Sequence, residues 1–181
     1  GSRALQANTT GCHNVANGYL ALNLNLTGDR NVANGVDSLS KNSAGNCNTA
    51  IGYQSLKNIS IGSNNVALGN STGVNYLSGG LSIDVTSISN SVMLGSLSNP
   101  LGNGQTNQIV IGYNAIGSGS NTVTIGNPSI TFTQLRGEIS GSKLTIGTSH
   151  TNTGNFSSIA GGLNNCISNA CRAGIVTGTN N

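Results

Sequence analysis

Four acids, Asp29, Asp37, Asp84 and Glu138, are the chain's whole supply of side-chain carboxylates. A glycan-cleaving site needs two of them about 5 to 9.5 Å apart, one to protonate the leaving oxygen and one to attack or to activate water. Asp29 and Asp37 are close in sequence but sit at different positions of the repeat described below, so they are expected to be surface carboxylates. A pair assembled across chains stays open. His13 and His150 are isolated, and Cys12-His13 is a lone dipeptide without metal-ligand spacing. No Ser-His-Asp set or phosphate-binding loop stands out, because the Gly-x-Gly patterns follow from 27 glycines in 181 residues. The expectation is a protein that is not an enzyme and that holds no metal and no cofactor.

The elements that would position any site are set by repetition. "NVANG" ends at Gly18 and again at Gly35, "NTAIG" at Gly52, and "NVALG" at Gly69, a constant step of 17. A second glycine column (Gly11, Gly28, Gly45, Gly62) and a leucine column (Leu22, Leu39, Leu56) keep that period. The next motif glycine, Gly95, follows after a step of 26, so this turn carries 9 extra. Gly112 restores the step of 17, and Gly126 follows after 14. Near the end, Ile159 and Ile175 are 16 apart, as are Gly162 and Gly178.

Each unit is too short for a helix pair and too rich in Gly and Asn for a helix. Its apolar pieces alternate: Val66 and Leu68 share one face and Ala67 points the other way. Short strands and turns of this length stack into a parallel β-solenoid with roughly 4.8 Å between turns. Gly and Asn are expected where the turns need positive φ. A step of 6, as in hexapeptide acyltransferases, is absent, and the Thr-x-Thr pairs are spaced too irregularly for an ice-binding row.

Composition narrows the class. Charged residues are 6% and aromatics 3%, with a net charge of +3 and no basic stripe, so no nucleic-acid partner is expected. No apolar run approaches a membrane span, so no membrane insertion by this chain is expected. Cys12 and Cys47 are 35 apart, two turns plus one residue. That is roughly 9 to 10 Å of axial rise, beyond a disulfide's reach. Cys166 and Cys171 could pair across a turn or remain thiols. Tyr19, Tyr53 and Tyr113 each follow a motif glycine, which suggests a structural role.

"NTAIGYQSL" and "GSNNVALG" resemble the head repeats of trimeric autotransporter adhesins and of related phage or viral tail fibres. "IVIGYNAIGSGSNTVTIGNPSITFTQLRG" resembles the stretch that follows such repeats in fibre proteins. The resemblance covers about residues 11 to 147 and, more weakly, 157 to 181. It implies an all-β, parallel, left-handed β-roll, its repeat step running from 14 to 17, packed as a homotrimer. The expected organisation is a tag remnant or linker at 1–10, head repeats at 11–127 with an insertion at about 70–91, a transition segment at 128–147, and a second solenoid array at 148–181.

The implied function is attachment: a non-enzymatic, extracellular fibre or adhesin head on a virion or bacterial surface, binding a host-cell glycan or protein receptor. A structural spacer and a glycan depolymerase are the alternatives. Asn17 and Asn34 depart from the family's aliphatic residue before glycine. They mark either a solvated capping end or a polar ring around the trimer axis. Receptor contact is expected in the insertion, at Tyr76 and Asp84. An aromatic ring beside a carboxylate suits sugar recognition, the ring stacking and the acid accepting from hydroxyls.

Overall fold

The structure, a computed structural model, describes residues 1–78 and 81–131 and five short strands between residues 143 and 175. Two compact units divide the chain, 1–131 and 132–181. The first is a parallel β-solenoid of about 6 turns. No helix occurs among the described residues.

Seven strands, one from each repeat, stack into one parallel sheet. They are β1 (Val15–Asn17), β2 (Val32–Asn34), β3 (Thr49–Ile51), β4 (Val66–Leu68), β8 (Val92–Leu94), β10 (Ile109–Ile111) and β11 (Val123–Ile125). Their register matches the motif alignment: Ala16 pairs with Ala33, Ala33 with Ala50, and Ala50 with Ala67. Across the longest step Val66 pairs with Val92, so the extra residues loop out and leave the stack in phase. A smaller sheet pairs β7 (Ile88–Ser89) with β9 (Gln105–Thr106). The extra residues form an antiparallel hairpin of β5 (Asn75–Ser78) and β6 (Leu81–Asp84).

The middle residue of each strand points inward. Ala33, Ala50 and Ala67 are buried, and so are Leu22, Leu39 and Leu56 in the following turn. Through these turns the core is therefore a file of alanines and leucines, and Met93 and Val110 take the inward strand position further on. Val66 and Leu68 flank Ala67 and face out, half exposed. With the strand's middle residue inside, its two neighbours must point away.

Buried amides tie one turn to the next. Asn31 N–H donates to Asn14 Oδ1 (2.9 Å), Asn48 N–H to Asn31 Oδ1 (2.9 Å), and Asn65 N–H to Asn48 Oδ1 (3.1 Å). Each amide nitrogen donates in turn to the carbonyl of the following bend, as Asn48 Nδ2 does to Gly62 O at 2.7 Å. A second ladder joins Asn8, Asn25 and Asn42 at 2.7 Å per step. It stops where Ile59 takes the column, and Asn42 Oδ1 is left buried without a partner. Such a group costs about 1–3 kcal/mol. Both ladders require turns of equal length, because a slip of one residue would move each asparagine away from its partner one turn on.

Two glycine columns have different causes. Gly18, Gly35, Gly52, Gly69, Gly95 and Gly112 hold φ between 129° and 144°, which L residues rarely adopt. Gly11, Gly28 and Gly45 have no such angle. A Cβ there would strike the carbonyl oxygen of the glycine one turn on. Gly and Asn, as expected, hold just over half of the positive-φ positions among the described residues, and other residue types hold the rest. Leu22, Leu39 and Leu56 sit at φ 49° to 50°, and Arg30, Asp37, Cys47 and Gln54 at 55° to 58°. Each costs on the order of 1 kcal/mol, which the stacking on both sides outweighs.

Residues 1–10 are a partial turn of this solenoid rather than a linker. Leu5 N–H donates to Ala21 O (3.0 Å) and Ala7 N–H to Asn23 O (2.9 Å), while Leu5 takes the left-handed angle of its column, φ 52°. In the second unit, β12 (Lys143–Ile146), β14 (Ser157–Ala160) and β16 (Gly174–Ile175) form a parallel sheet in that order. Ile159 pairs with Ile175 there, as the step of 16 predicts. The short strands β13 (Thr151–Asn152) and β15 (Cys166–Ile167) also pair in parallel.

One turn breaks two columns at once. Gly73 stands where leucine is expected, and Met93 where alanine is expected. A Cβ on Gly73 would meet Leu56 Cδ2 at 2.6 Å and Met93 Cε at 2.9 Å. The methionine thus fills the space that a leucine at 73 would need. Met93→Ala should lose about 2–5 kcal/mol and Gly73→Leu about 1–3 kcal/mol. The double variant should recover at least about 1 kcal/mol relative to their sum. Urea unfolding of the four proteins checks this, and additive losses would contradict it.

Candidate functional site

The hairpin is the one described element that leaves the stack. Val74 and Val85, both buried, close its base, with Val85 N–H donating to Val74 O at 2.8 Å. Asn99 pins that base from the next turn: its Oδ1 accepts from Val74 N–H (3.0 Å) and Asn75 N–H (3.2 Å), and its Nδ2 donates to Leu97 O (2.9 Å). Between hairpin and turns lies a cleft of about 170 Å³. Asn75, Tyr76 and Ser82 supply its hairpin side. The opposite wall is built from two columns of the repeat, Leu97 with Asn114 and Asn99 with Ile116, together with Pro100.

Tyr76 and Asp84 are not brought together in this cleft. Tyr76 lines it, half-buried and packed against the core. Asp84 does not line it. Its carboxylate pairs with Lys41 Nζ at 3.4 Å, both side chains about half exposed, and such a pair adds little stability. With the Asn75 amide oriented to satisfy both its ends, its nitrogen donates to Asp84 Oδ1 (3.2 Å) and Val74 O (2.8 Å), and its oxygen accepts from Ser82 Oγ (3.2 Å). The acid therefore helps to hold the hairpin closed.

The other singled-out residues lie apart. Asn17 and Asn34 are exposed, on the outward face of β1 and β2. Their column continues through Ile51, Leu68, Leu94, Ile111 and Ile125. Tyr19, Tyr53 and Tyr113 are exposed beside the motif glycines. Asp37 accepts from Lys57 Nζ at 3.0 Å. Asp29 accepts from Cys12 N–H at 2.7 Å, so the two acids serve different partners. His13 is exposed at φ 59°. Glu138, His150 and Cys171, and the side chain of Cys166, lie outside the described residues. Among the described residues no three His, Cys, Asp or Glu side chains cluster as metal ligands, and Cys12 and Cys47 are both free thiols, as their spacing predicts.

Sequence reasoning missed the far wall of the cleft. The signal was available in the columns: Leu97 and Asn114 follow their motif glycines by two positions, Asn99 and Ile116 by four. An insertion entering just after Gly73 stands beside these same columns in the turns that follow. No protein-family model, no curated protein and no solved structure matches the chain. Among the described residues the fold is a parallel β-solenoid of side-chain-laddered turns carrying one hairpin.

Cys12 and Asp29 give this surface a measurable acid–base signature. The thiol donates to Asp29 Oδ1 at 3.3 Å. That hydrogen bond, reinforced by the carboxylate's charge, raises the thiol above its ordinary value. The N–H and thiol of Cys12 hold the Asp29 carboxyl below its own. Asp29 therefore contributes stability above the ordinary carboxyl value of about 3.9, lost as pH falls through its lowered value. Asp29→Asn keeps the oxygen that Cys12 N–H needs, as Asn46 Oδ1 does for Asp29 N–H at 2.7 Å, but removes the charge. Since the thiolate is the nucleophile, Cys12 in this variant should react faster with iodoacetamide at pH 8, followed by peptide mass mapping. An unchanged rate would contradict the assignment.

Proposed function

We propose that the chain is a non-enzymatic attachment module: the head of a homotrimeric fibre or adhesin, extracellular, on a virion or bacterial surface, contacting a host-cell glycan or protein receptor. The observation that carries the assembly is the outward face of the seven-stranded sheet. Val66, Ile109 and Val123 in one column, and Ile51, Leu68 and Ile125 in the other, are 38% to 62% exposed. No charged residue stands in either column of this sheet. Soluble monomers rarely leave a continuous apolar patch of this kind uncovered.

Identical copies are its natural cover. They present the same stripe at the same spacing, so side-by-side packing buries it in register. Burial at about 25 cal/mol per Å² makes association a principal source of stability. Three copies, and the left-handed coil, follow from the resemblance to adhesin and tail-fibre heads. Trimerisation then presents three hairpins on one body, and weak sites in triplicate give avidity without new contacts.

A spacer reading is favoured by the uniformity of the laddered turns, which suit a rod that holds a receptor-binding domain elsewhere. Sedimentation and cell adhesion separate the outcomes. The chain should sediment as a trimer at micromolar concentration. Ile51→Asn with Leu68→Asn, which repeats the residues of β1 and β2, should shift it toward smaller species. A folded wild-type monomer would overturn the assembly. An intact trimer that adheres to none of a panel of bacterial and animal cells would replace attachment by the spacer.

A further inference from the structure

The cleft under the β5–β6 hairpin has a chemistry of its own, and we propose that it is a binding site for a single uncharged sugar ring. The inference deepens the attachment reading by naming the ligand class, and rests on it only for where the sugar is displayed.

Size sets the first limit. At about 170 Å³ the cleft falls below the roughly 300–1,000 Å³ of sites that engulf a drug-sized ligand. It suits one ring, held on one face and open on the other.

Charge sets the second. Among the described residues no Asp, Glu, Lys or Arg lines the cleft. Asp84, the nearest acid in the hairpin, is taken up by Lys41 and Asn75. An anionic sugar, or a phosphate, would shed water there and meet no counter-charge.

The lining alternates in kind. Leu97, Pro100, Ile116 and the Tyr76 ring give apolar surface, while Asn75, Ser82, Asn99 and Asn114 give amides and a hydroxyl. A pyranose has both faces of that chemistry, with ring C–H bonds to lie on apolar surface and hydroxyls to meet amides. A purely apolar peptide side chain would leave the Asn114 amide and the Tyr76 hydroxyl facing it unpaired, which costs binding.

The polar groups also divide by role. Asn99 Oδ1 is taken up by the two hairpin N–H groups while its Nδ2 donates to Leu97 O, and Asn75 is engaged with Val74, Ser82 and Asp84. These positioning residues keep the walls in place before any ligand arrives. By contrast, the Asn114 amide and the Tyr76 hydroxyl have no hydrogen-bond partner among the described residues. They are the groups left to bind.

The test uses the whole chain. It combines an array of neutral, sialylated and sulfated glycans with saturation-transfer NMR on the methyl glycosides of the neutral sugars retained. At least one neutral glycoside should bind, with a dissociation constant on the order of 1 mM. Asn114→Gly keeps the backbone, since glycine accepts the φ of 51° at this position, and should weaken binding tenfold or more. Tyr76→Leu, which retains apolar packing, should do the same; the glycine variant alone decides if the leucine variant misfolds.

No neutral binder, preference for acidic glycans, or undiminished binding by Asn114→Gly would overturn the proposal. So would tighter binding of a proline- and leucine-containing peptide than of any sugar. Cell attachment that the free glycoside fails to reduce would remove the cleft and keep the attachment reading. Glycoside binding without cell attachment would do the reverse.

Discussion

The stacking of like on like governs this protein. Each asparagine of the two buried ladders hydrogen-bonds the corresponding residue one turn away, so no turn is satisfied by itself. Backbone hydrogen bonds alone would tolerate turns of varied composition. A buried amide column does not, because a lone amide inside the coil costs about 1–3 kcal/mol. That constraint fixes the length of the turn and excludes a Cβ at Gly28 and Gly45. It also holds leucine, arginine and glutamine in left-handed bends that they would not choose alone. Where the constraint lapses, a defect follows, as at Asn42, whose oxygen faces a column that has become Ile59.

The same constraint determines where specificity can reside. A side chain within the stack must match its neighbours on both sides and is not at liberty to match a ligand. The outward face of the strands is bound only by the period, and it carries apolar residues at regular spacing, suited to copies of itself. The hairpin is bound by neither. It leaves the coil at Val74 and returns at Val85 without disturbing the pairing of Val66 with Val92. Its cleft borrows one wall from the repeat, so a variable element is held against a rigid one.

Much of the fold was legible in the sequence because repeat columns are read directly as strand register. Ala16, Ala33, Ala50 and Ala67 align in sequence and pair in space. Orientation was less legible. Hydrophobicity places Val66 and Leu68 inside, yet the interior between stacked turns admits Ala67 there, the leucine column having already filled the space. Positive φ at Leu39 or Arg30 escapes propensity rules, since those rules describe a residue without neighbours above and below. Residues 1–10 lack the strand motif, and the turn is betrayed by Gly1, Ala4, Leu5, Asn8 and Thr10, one repeat step before Gly18, Ala21, Leu22, Asn25 and Thr27. In the hairpin, Tyr76 was visible as the aromatic of the insertion. The engagement of Asp84 by Lys41, 43 residues away, depends on three-dimensional placement that no local pattern encodes.

The central claim is that one whole repeat turn, of fixed length, is the unit of structure. Excising Val32–Asn48 joins Asn31 to Thr49 and removes one such turn, leaving every column continuous. Excising Val32–Cys47 removes one residue fewer and shifts the junction out of register. Far-UV circular dichroism with thermal unfolding compares the two. The account predicts that the first protein keeps its β spectrum and a cooperative transition, while the second loses cooperativity or melts far lower. Equal stability of the two would contradict it.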